Sequence, residues 1–355
     1  MRKISVNHTY ELHDLIKEEI KKNGVHCDLN FIDVSKLSDL DNLFFWKDIR
    51  KFNGDISKWD VSNVKSMSHM FFLSDFNGDI SGWDVSNVKN MTAMFKESKF
   101  NGNIASWNVS KVKDMTEMFS DAEFNGDLSK WNVKNVWHMD RMFSENLHFD
   151  GDISNWNTSN TRSMSGMFRC SKFNGDISRW NTSKVRDLSE MFLESVFNGD
   201  ISKWDVSNVR LMSRTFDHAL KFKGDLSSWD VSNVEDMAKM FQCSAFNGDI
   251  SAWDVSKVYD MSYMFRETSF NGNLSSWDVS NVEDMTQMFR NSKFNGDISS
   301  WDISKVKDMS FMFAASKFDG NISSWNIRKE TDQTEMFSKQ DCTKFVENEP
   351  DIFFG

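Results

Sequence analysis

Nearly all of this chain is one 24-residue unit copied twelve times, and no other feature limits its folding choices as strongly. The units align on Phe-Asn-Gly-Asp-Ile-Ser-x-Trp-Asp-Val-Ser-Asn-Val-x-x-Met-x-x-Met-Phe. They start at Phe52, Phe76, Phe100, Phe124, Phe149, Phe173, Phe197, Phe222, Phe246, Phe270, Phe294 and Phe318. The step is 24 residues except into Phe149 and Phe222, where it is 25. A unit this short cannot bury a Trp, two Met and two Phe against itself. Neighbours must stack, lining equivalent positions into ladders through one elongated core. At about 4.8 Å per rung, twelve rungs run roughly 60 Å.

Within a unit, Ile56, Trp59 and Val61 follow the L-x-x-L-x-L spacing of a leucine-rich-repeat strand, and Trp59 and Val61 alternate with Lys58 and Asp60. Val64, Met67, Met70 and Phe71 then predict one face of a short helix, with Ser62 or Asn63 as its N-cap. Phe52-Asn53-Gly54-Asp55 supplies turn chemistry, with Gly54 free to take a positive φ. The predicted fold is therefore an α/β solenoid of about twelve repeats, each a short parallel strand plus a short helix, leucine-rich-repeat-like and capped at both ends.

Three segments follow: an N-terminal cap over 1–51, the twelve-repeat solenoid over 52–337, and a C-terminal cap or tail over 338–355. Leu12, Leu15, Ile16 and Ile20 share one face of an expected helix within residues 7–24, and Gly24 is its stop. An earlier half-unit is visible from Asp33 to Phe44. The last unit decays, with Glu330 and Gln333 at core positions, as a terminal repeat facing water requires. The tail from Phe345 to Gly355 is a candidate cover for that layer. Both extra residues fall in Ser144–His148 and Asp217–Lys221, segments expected to lie outside the core because ladders do not tolerate length changes.

The net charge of −11 argues against nucleic acid and anionic membrane as partners, because phosphate neutralisation needs a basic surface. No apolar run reaches spanning length, and the first residues lack a signal-peptide core. Cys170 and Cys243 occupy the same position three repeats apart, roughly 14 Å at strand spacing. Together with Cys27 and Cys342 they are read as free thiols, which points to a reducing, cytoplasmic compartment. Cell-surface delivery by a non-classical route is the alternative.

The repeat motif resembles the BspA-like surface-protein repeat, also described from mycoplasma lipoproteins, over about residues 10–340. The lead-in Glu11-Leu12 … Leu29-Asn30-Phe31-Ile32-Asp33-Val34-Ser35 is similar to that of many members. The resemblance implies a leucine-rich-repeat-like solenoid and, for exported members, adhesion or host-protein contact. It carries no catalytic residues.

The most suggestive candidate for chemistry is the acidic row after each Trp, which includes Asp60, Asp84, Asp205, Asp230, Asp254, Asp278 and Asp302. It is either a ligand or Ca²⁺ surface, or a structural ladder whose side chains bond neighbouring backbone. The residue before each Trp varies most, and Lys58, Lys130, Arg179 and Lys203 there could meet an acidic partner. Asn-Gly-Asp fits turns rather than a calcium loop, and no cofactor motif or Cys/His zinc spacing occurs. None of the seven His sits beside a nucleophile in a recognisable motif. These readings favour a non-catalytic scaffold that binds a protein partner. An adhesin or coat component comes second, and a carbohydrate-active solenoid enzyme third.

Overall fold

The computed structural model describes residues 3–339. Each 24-residue unit docks on the one before through an unbroken series of single-residue parallel bridges. They run Asp39–Ser66–Asn90–Asp114–His138–Ser163–Asp187–Leu211–Asp236–Asp260–Asp284–Asp308–Asp332. Around this line the backbone is bonded between coils in two alternating ways. The N–H groups of Met67, His69, Phe71 and Leu73 donate to the carbonyls of Asn90, Thr92, Met94 and Lys96 in the next coil, at 3.0, 2.8, 2.9 and 3.0 Å. The intervening Met70, Phe72 and Ser74 donate within the coil to Met67, His69 and Phe71. We refer to the surface over residues 65–73 of each coil as the ladder face.

That bonding replaces the predicted helix and strand of each repeat. Among the described residues the only α-helix is α1 (Thr9–Asn23), and the only strands are β1 (Ile4–Ser5) and β2 (Ile32–Asp33), which pair in parallel. A helix needs every N–H to reach the carbonyl four residues back, and here half of them leave for the next coil. Left-handed φ values at His69 (57°) and Leu73 (56°), repeated coil by coil as far as Phe311 and Ala315, also end any right-handed run. What the apolar positions mark is a chain of tight turns. Trp59 donates to Ile56, Val64 to Val61 and Met70 to Met67, each spanning three residues. A spacing of three, not 3.6, was present in Val61, Val64, Met67 and Met70 all along.

The other side of each coil is closed by side chains instead. Trp59, Trp83 and their successors are buried and stack, with ring centroids of Trp59 and Trp83 6.4 Å apart and 7° from parallel. Each indole N–H also donates to a backbone carbonyl of the preceding coil, as in Trp83 to Ile56 (3.2 Å) and Trp156 to Leu128 (3.0 Å). Asn53 Oδ1 accepts the backbone N–H of Asn77, and Asn77 Oδ1 accepts that of Asn101. Two further rows of Phe stack inside, for example Phe71–Phe95 at 5.5 Å and Phe76–Phe100 at 6.3 Å. Burying such rings against one another supplies the cohesion that no single unit has.

Gly54 and its equivalents do not take the positive φ expected of them; among the described glycines only Gly24 and Gly166 do. They are glycine for want of room, since a Cβ on Gly126 would stand 2.7 Å from the Phe124 ring.

At the N-terminal end α1 buries Leu12 and Ile16, with Leu15 and Ile20 packed partly against the core, and the N–H of Gly24 (φ 84°) closes the helix on Ile20. Its Lys17 and His13 reach Asp48. The lead-in is a whole coil rather than half of one. Asp28 bridges Asp55, and Leu29, Ile32, Val34, Leu37, Leu40, Leu43 and Phe44 are buried like the later ladder residues. The two longer units bulge only in part: Leu147 and Leu220 are exposed, while Asn146 and Ala219 are buried. At the far end Glu330 and Gln333 are exposed. The tail from Phe345 to Gly355, and Cys342, lie outside the described residues.

Candidate binding surface

The acidic row after each Trp is exposed, and its carboxylates have a local task. Asp60 Oδ1 accepts the backbone N–H and the hydroxyl of Ser62, and Asp84, Asp205, Asp230, Asp254, Asp278 and Asp302 each accept the N–H two residues on. These are side-chain-closed turns, which Asn performs equally well, as Asn157 does with Ser159. The bonds from Ser86, Ser256 and Ser304 hold Asp84, Asp254 and Asp302 below the usual carboxylate range. Lys58, Lys130, Arg179 and Lys203 are exposed on the same side. Where Ser replaces them it is structural, as in Ser276 donating to the Ser251 carbonyl.

The ladder face is where chemistry varies along a fixed frame. Its first row, exposed but for the half-buried Lys113 and Glu235, reads Lys65, Lys89, Lys113, Trp137, Arg162, Arg186, Arg210, then Glu235, Tyr259, Glu283, Lys307. Consecutive members are tied by backbone bonds such as Lys89 to Lys65 (2.8 Å) and Arg186 to Arg162 (2.9 Å), so their side chains stand about one strand spacing apart. Among the described residues Lys65, Lys89, Lys113, Arg162 and Arg186 make no ion pair, and Trp137 lies between the Lys113 and Arg162 cations at 4.8 and 4.9 Å. Arg162, Ser183, Lys184, Arg186 and Asn208 line an open depression of about 360 Å³.

Past Arg210 the row turns mixed, reading Glu235, Tyr259, Glu283 and Lys307. Arg210 meets Glu235 at 3.3 Å, and beyond it the bridge residues Asp236, Asp260, Asp284, Asp308 and Asp332 follow one another, with Glu235 and Glu283 alongside. Burial, with neighbouring carboxylates adding to it, pushes Asp236 and Asp284 above the usual range. The opposite edge of the ladder face is neutralised by cross-coil pairs: Lys96–Glu117, Arg141–Glu190 and Arg169–Glu145. The first row therefore carries uncompensated cations from Lys65 to Arg186, while its two glutamates are paired, Glu235 with Arg210 and Glu283 with Lys307 at 2.5 Å. Sequence reading missed it because it placed the strand at Trp59 and took Val64 to Phe71 for a helix.

A second cluster joins residues from adjacent coils. Asp217, wholly buried, accepts from Arg214 Nε (3.0 Å) and lies 2.6 Å from His218 Nδ1. The bonds from Asp217 and Cys243 raise His218 to about 10. Burial pushes the Cys243 thiol up despite His218, and its Sγ also donates to Glu267 at 3.6 Å. A thiol held protonated beside a carboxylate is a poor nucleophile, so the arrangement reads as a packed polar network. Among the described residues no group of three or more His, Cys, Asp or Glu could hold a metal ion, and no helix is long and apolar enough to cross a membrane. Cys27, Cys170 and Cys243 are free thiols.

Coils bonded in register, a core of repeated rings and surface rows that vary together define a tandem-repeat protein. The chain belongs to the family described as Mycoplasma protein of unknown function, DUF285, whose model matches residues 15–125, 97–195, 169–269 and 242–349. No curated protein and no solved structure matches it.

Proposed function

We propose that this chain is a non-catalytic solenoid scaffold that binds a protein partner along the first row of its ladder face. The observation that carries the reading is the run of unpaired cations Lys65, Lys89, Lys113, Arg162 and Arg186 on consecutive or near-consecutive coils, with Trp137 exposed among them. Uncompensated charge costs self-repulsion, and an interfacial aromatic beside cations is a common anchor. A kinship to the BspA-like, leucine-rich-repeat-like proteins is part of the same proposal and rests on the repeat motif. The free thiols favour a cytoplasmic setting, and an adhesin or coat role is the second reading.

The test is capture from the source cell's lysate by the full chain, compared with Arg162→Glu/Arg186→Glu. The wild type is expected to retain a protein that the variant loses by tenfold or more. Equal retention by both overturns the assignment of this face.

A further inference from the structure

We propose that the depression lined by Arg162, Ser183, Lys184, Arg186 and Asn208 is a phosphate-monoester site that receives a phosphorylated side chain of the partner protein. This rests on the binding reading above and names the chemistry that the partner presents. Three cations border an open hollow of about 360 Å³, and among the described residues its lining holds no carboxylate. The N–H of Arg186 donates to the Arg162 carbonyl at 2.9 Å, so the two guanidinium stems start about one rung, roughly 4.8 Å, apart. Neither makes an ion pair among the described residues. The Trp137 ring, 4.9 Å from Arg162, steadies that guanidinium without neutralising it. Lys184 Nζ donates to the neutral Asn160 amide at 2.7 Å and keeps its charge. Asn208 Nδ2 spends one N–H on the Ser183 carbonyl (2.8 Å) and has a second to offer.

The sequence departs from its own repeat here, in the direction such a site needs. The residue after each Trp is Asn on four consecutive coils, Asn108, Asn132, Asn157 and Asn181, where Asp closes the same turn elsewhere. Negative charge is thereby withheld from the coils of Arg162 and Arg186. Asp187 accepts the N–H of Ser189 (2.8 Å), and Arg210, the next cation in the row, is already held by Glu235. Thr158 and Thr182 stand in the same two coils where every other unit has Val or Ile. Their hydroxyls donate to the Asn181 and Asp205 carbonyls, both at 2.9 Å. These bonds tie together the three coils that supply Arg162, Lys184 with Arg186, and Asn208. A site fixed before its ligand arrives loses less on binding.

A phosphate monoester brings nearly two charges and three acceptor oxygens on one phosphorus, which two Arg forks and an ammonium can share. A carboxylate brings one charge and two oxygens and leaves cations unmatched. A phosphodiester strand spreads its charge and needs a long basic track, whereas Asp114 and Asp187 stand beside this row and the chain carries −11 overall.

The experiment is fluorescence anisotropy on the full chain with labelled peptide pools of randomised sequence. One set of pools has phosphoserine, phosphothreonine or phosphotyrosine at its centre, and the others have Ser or Glu there. Inorganic phosphate serves as competitor. Wild type is compared with Arg162→Gln/Arg186→Gln and with Lys58→Gln/Lys130→Gln, which removes equal charge from the Trp side; each is checked for an unchanged melting curve. The wild type should bind a phosphorylated pool about tenfold or more tighter than the Ser and Glu pools. The Arg variant should lose that preference and the Lys variant keep it. No preference in the wild type, or the same preference in the Arg variant, overturns the proposal. Inorganic phosphate that binds as tightly as the phosphorylated pool overturns the assignment to a protein side chain and leaves a free-anion site. If the preference is missing while Arg162→Glu/Arg186→Glu still loses a lysate protein, this inference fails and partner binding stands. If capture is also unchanged, both fall.

Discussion

The two sides of each coil solve the same problem with different materials. On the ladder face, backbone bonds backbone: Met67, His69, Phe71 and Leu73 reach the next coil without help from any side chain. On the Trp side, the indole N–H and the Asn53 row supply the connections, and the aspartate turns close each coil on itself. Side chains that make the bonds cannot vary, and side chains that merely decorate a backbone ladder can. That difference explains why the bonding residues of the Trp side are nearly invariant from unit to unit while rows 65, 69, 72 and 73 run through every class of residue.

The contrast predicts a graded response to substitution. Trp156→Ala should cost about 3–5 kcal/mol in chemical denaturation. Trp156→Phe, which keeps most of the ring, should still cost about 1–3 kcal/mol because the buried Leu128 carbonyl loses its donor. A Phe variant as stable as the wild type would remove the hydrogen bond from the account. Gly126→Ala should cost about 1–3 kcal/mol by pressing on Phe124, although nothing about its φ demands glycine. By comparison, Lys89→Ala on the ladder face should stay within about 0.5 kcal/mol.

The two sides should also respond oppositely to pH. Folded Asp236 and Asp284 sit above their ordinary value, so their charged forms destabilise the stack at neutral pH, and that cost fades as pH falls through the raised value. Asp284→Asn keeps the acceptor for Thr286 and should raise the melting temperature at pH 7, with the gain shrinking in mild acid. A gain that does not depend on pH would show that charge is not its origin. Asp84, Asp254 and Asp302 are held low; the stability they add is present above about pH 4 and is lost as pH falls through their depressed folded values. Melting curves between neutral and strong acid should thus pass through a maximum when the Trp-side turns carry the larger share.

The smallest effects test the backbone. Glu97 holds φ at 52°, where glycine is unstrained, as Gly166 shows at 60° in the neighbouring positive-φ row. Glu97→Gly should be neutral or stabilising by up to about 1 kcal/mol, the reverse of glycine's effect in a helix. A loss of about 1 kcal/mol would favour helical backbone there. Lys223 interrupts the Asn row, and Lys223→Asn should add about 0.5–1 kcal/mol by offering Asn247 an acceptor.

How much of this was legible beforehand depends on the side. The ladders of Phe and Trp, the amphipathic α1 with Gly24 at its end, and the decay at Glu330 and Gln333 follow from pattern alone, because burial against an identical neighbour is written into a repeat. The candidate surface was not legible. Lys58, Lys130, Arg179 and Lys203 are exposed as read, but they decorate a side whose bonding is complete. The row beginning at Lys65 was hidden inside a supposed helix.

The sequence by itself determined that copies stack and which residues go inside, since twelve repetitions of the same apolar spacing admit no other burial. It also determined where units could lengthen. Only the tertiary structure decided which segment bonds its neighbour through the backbone, because an N–H pointing four residues back and one pointing into the next coil leave the same apolar pattern. With that choice came the direction of every polar side chain on residues 65–73, and so the gathering of unpaired cations from Lys65 to Arg186 on one line.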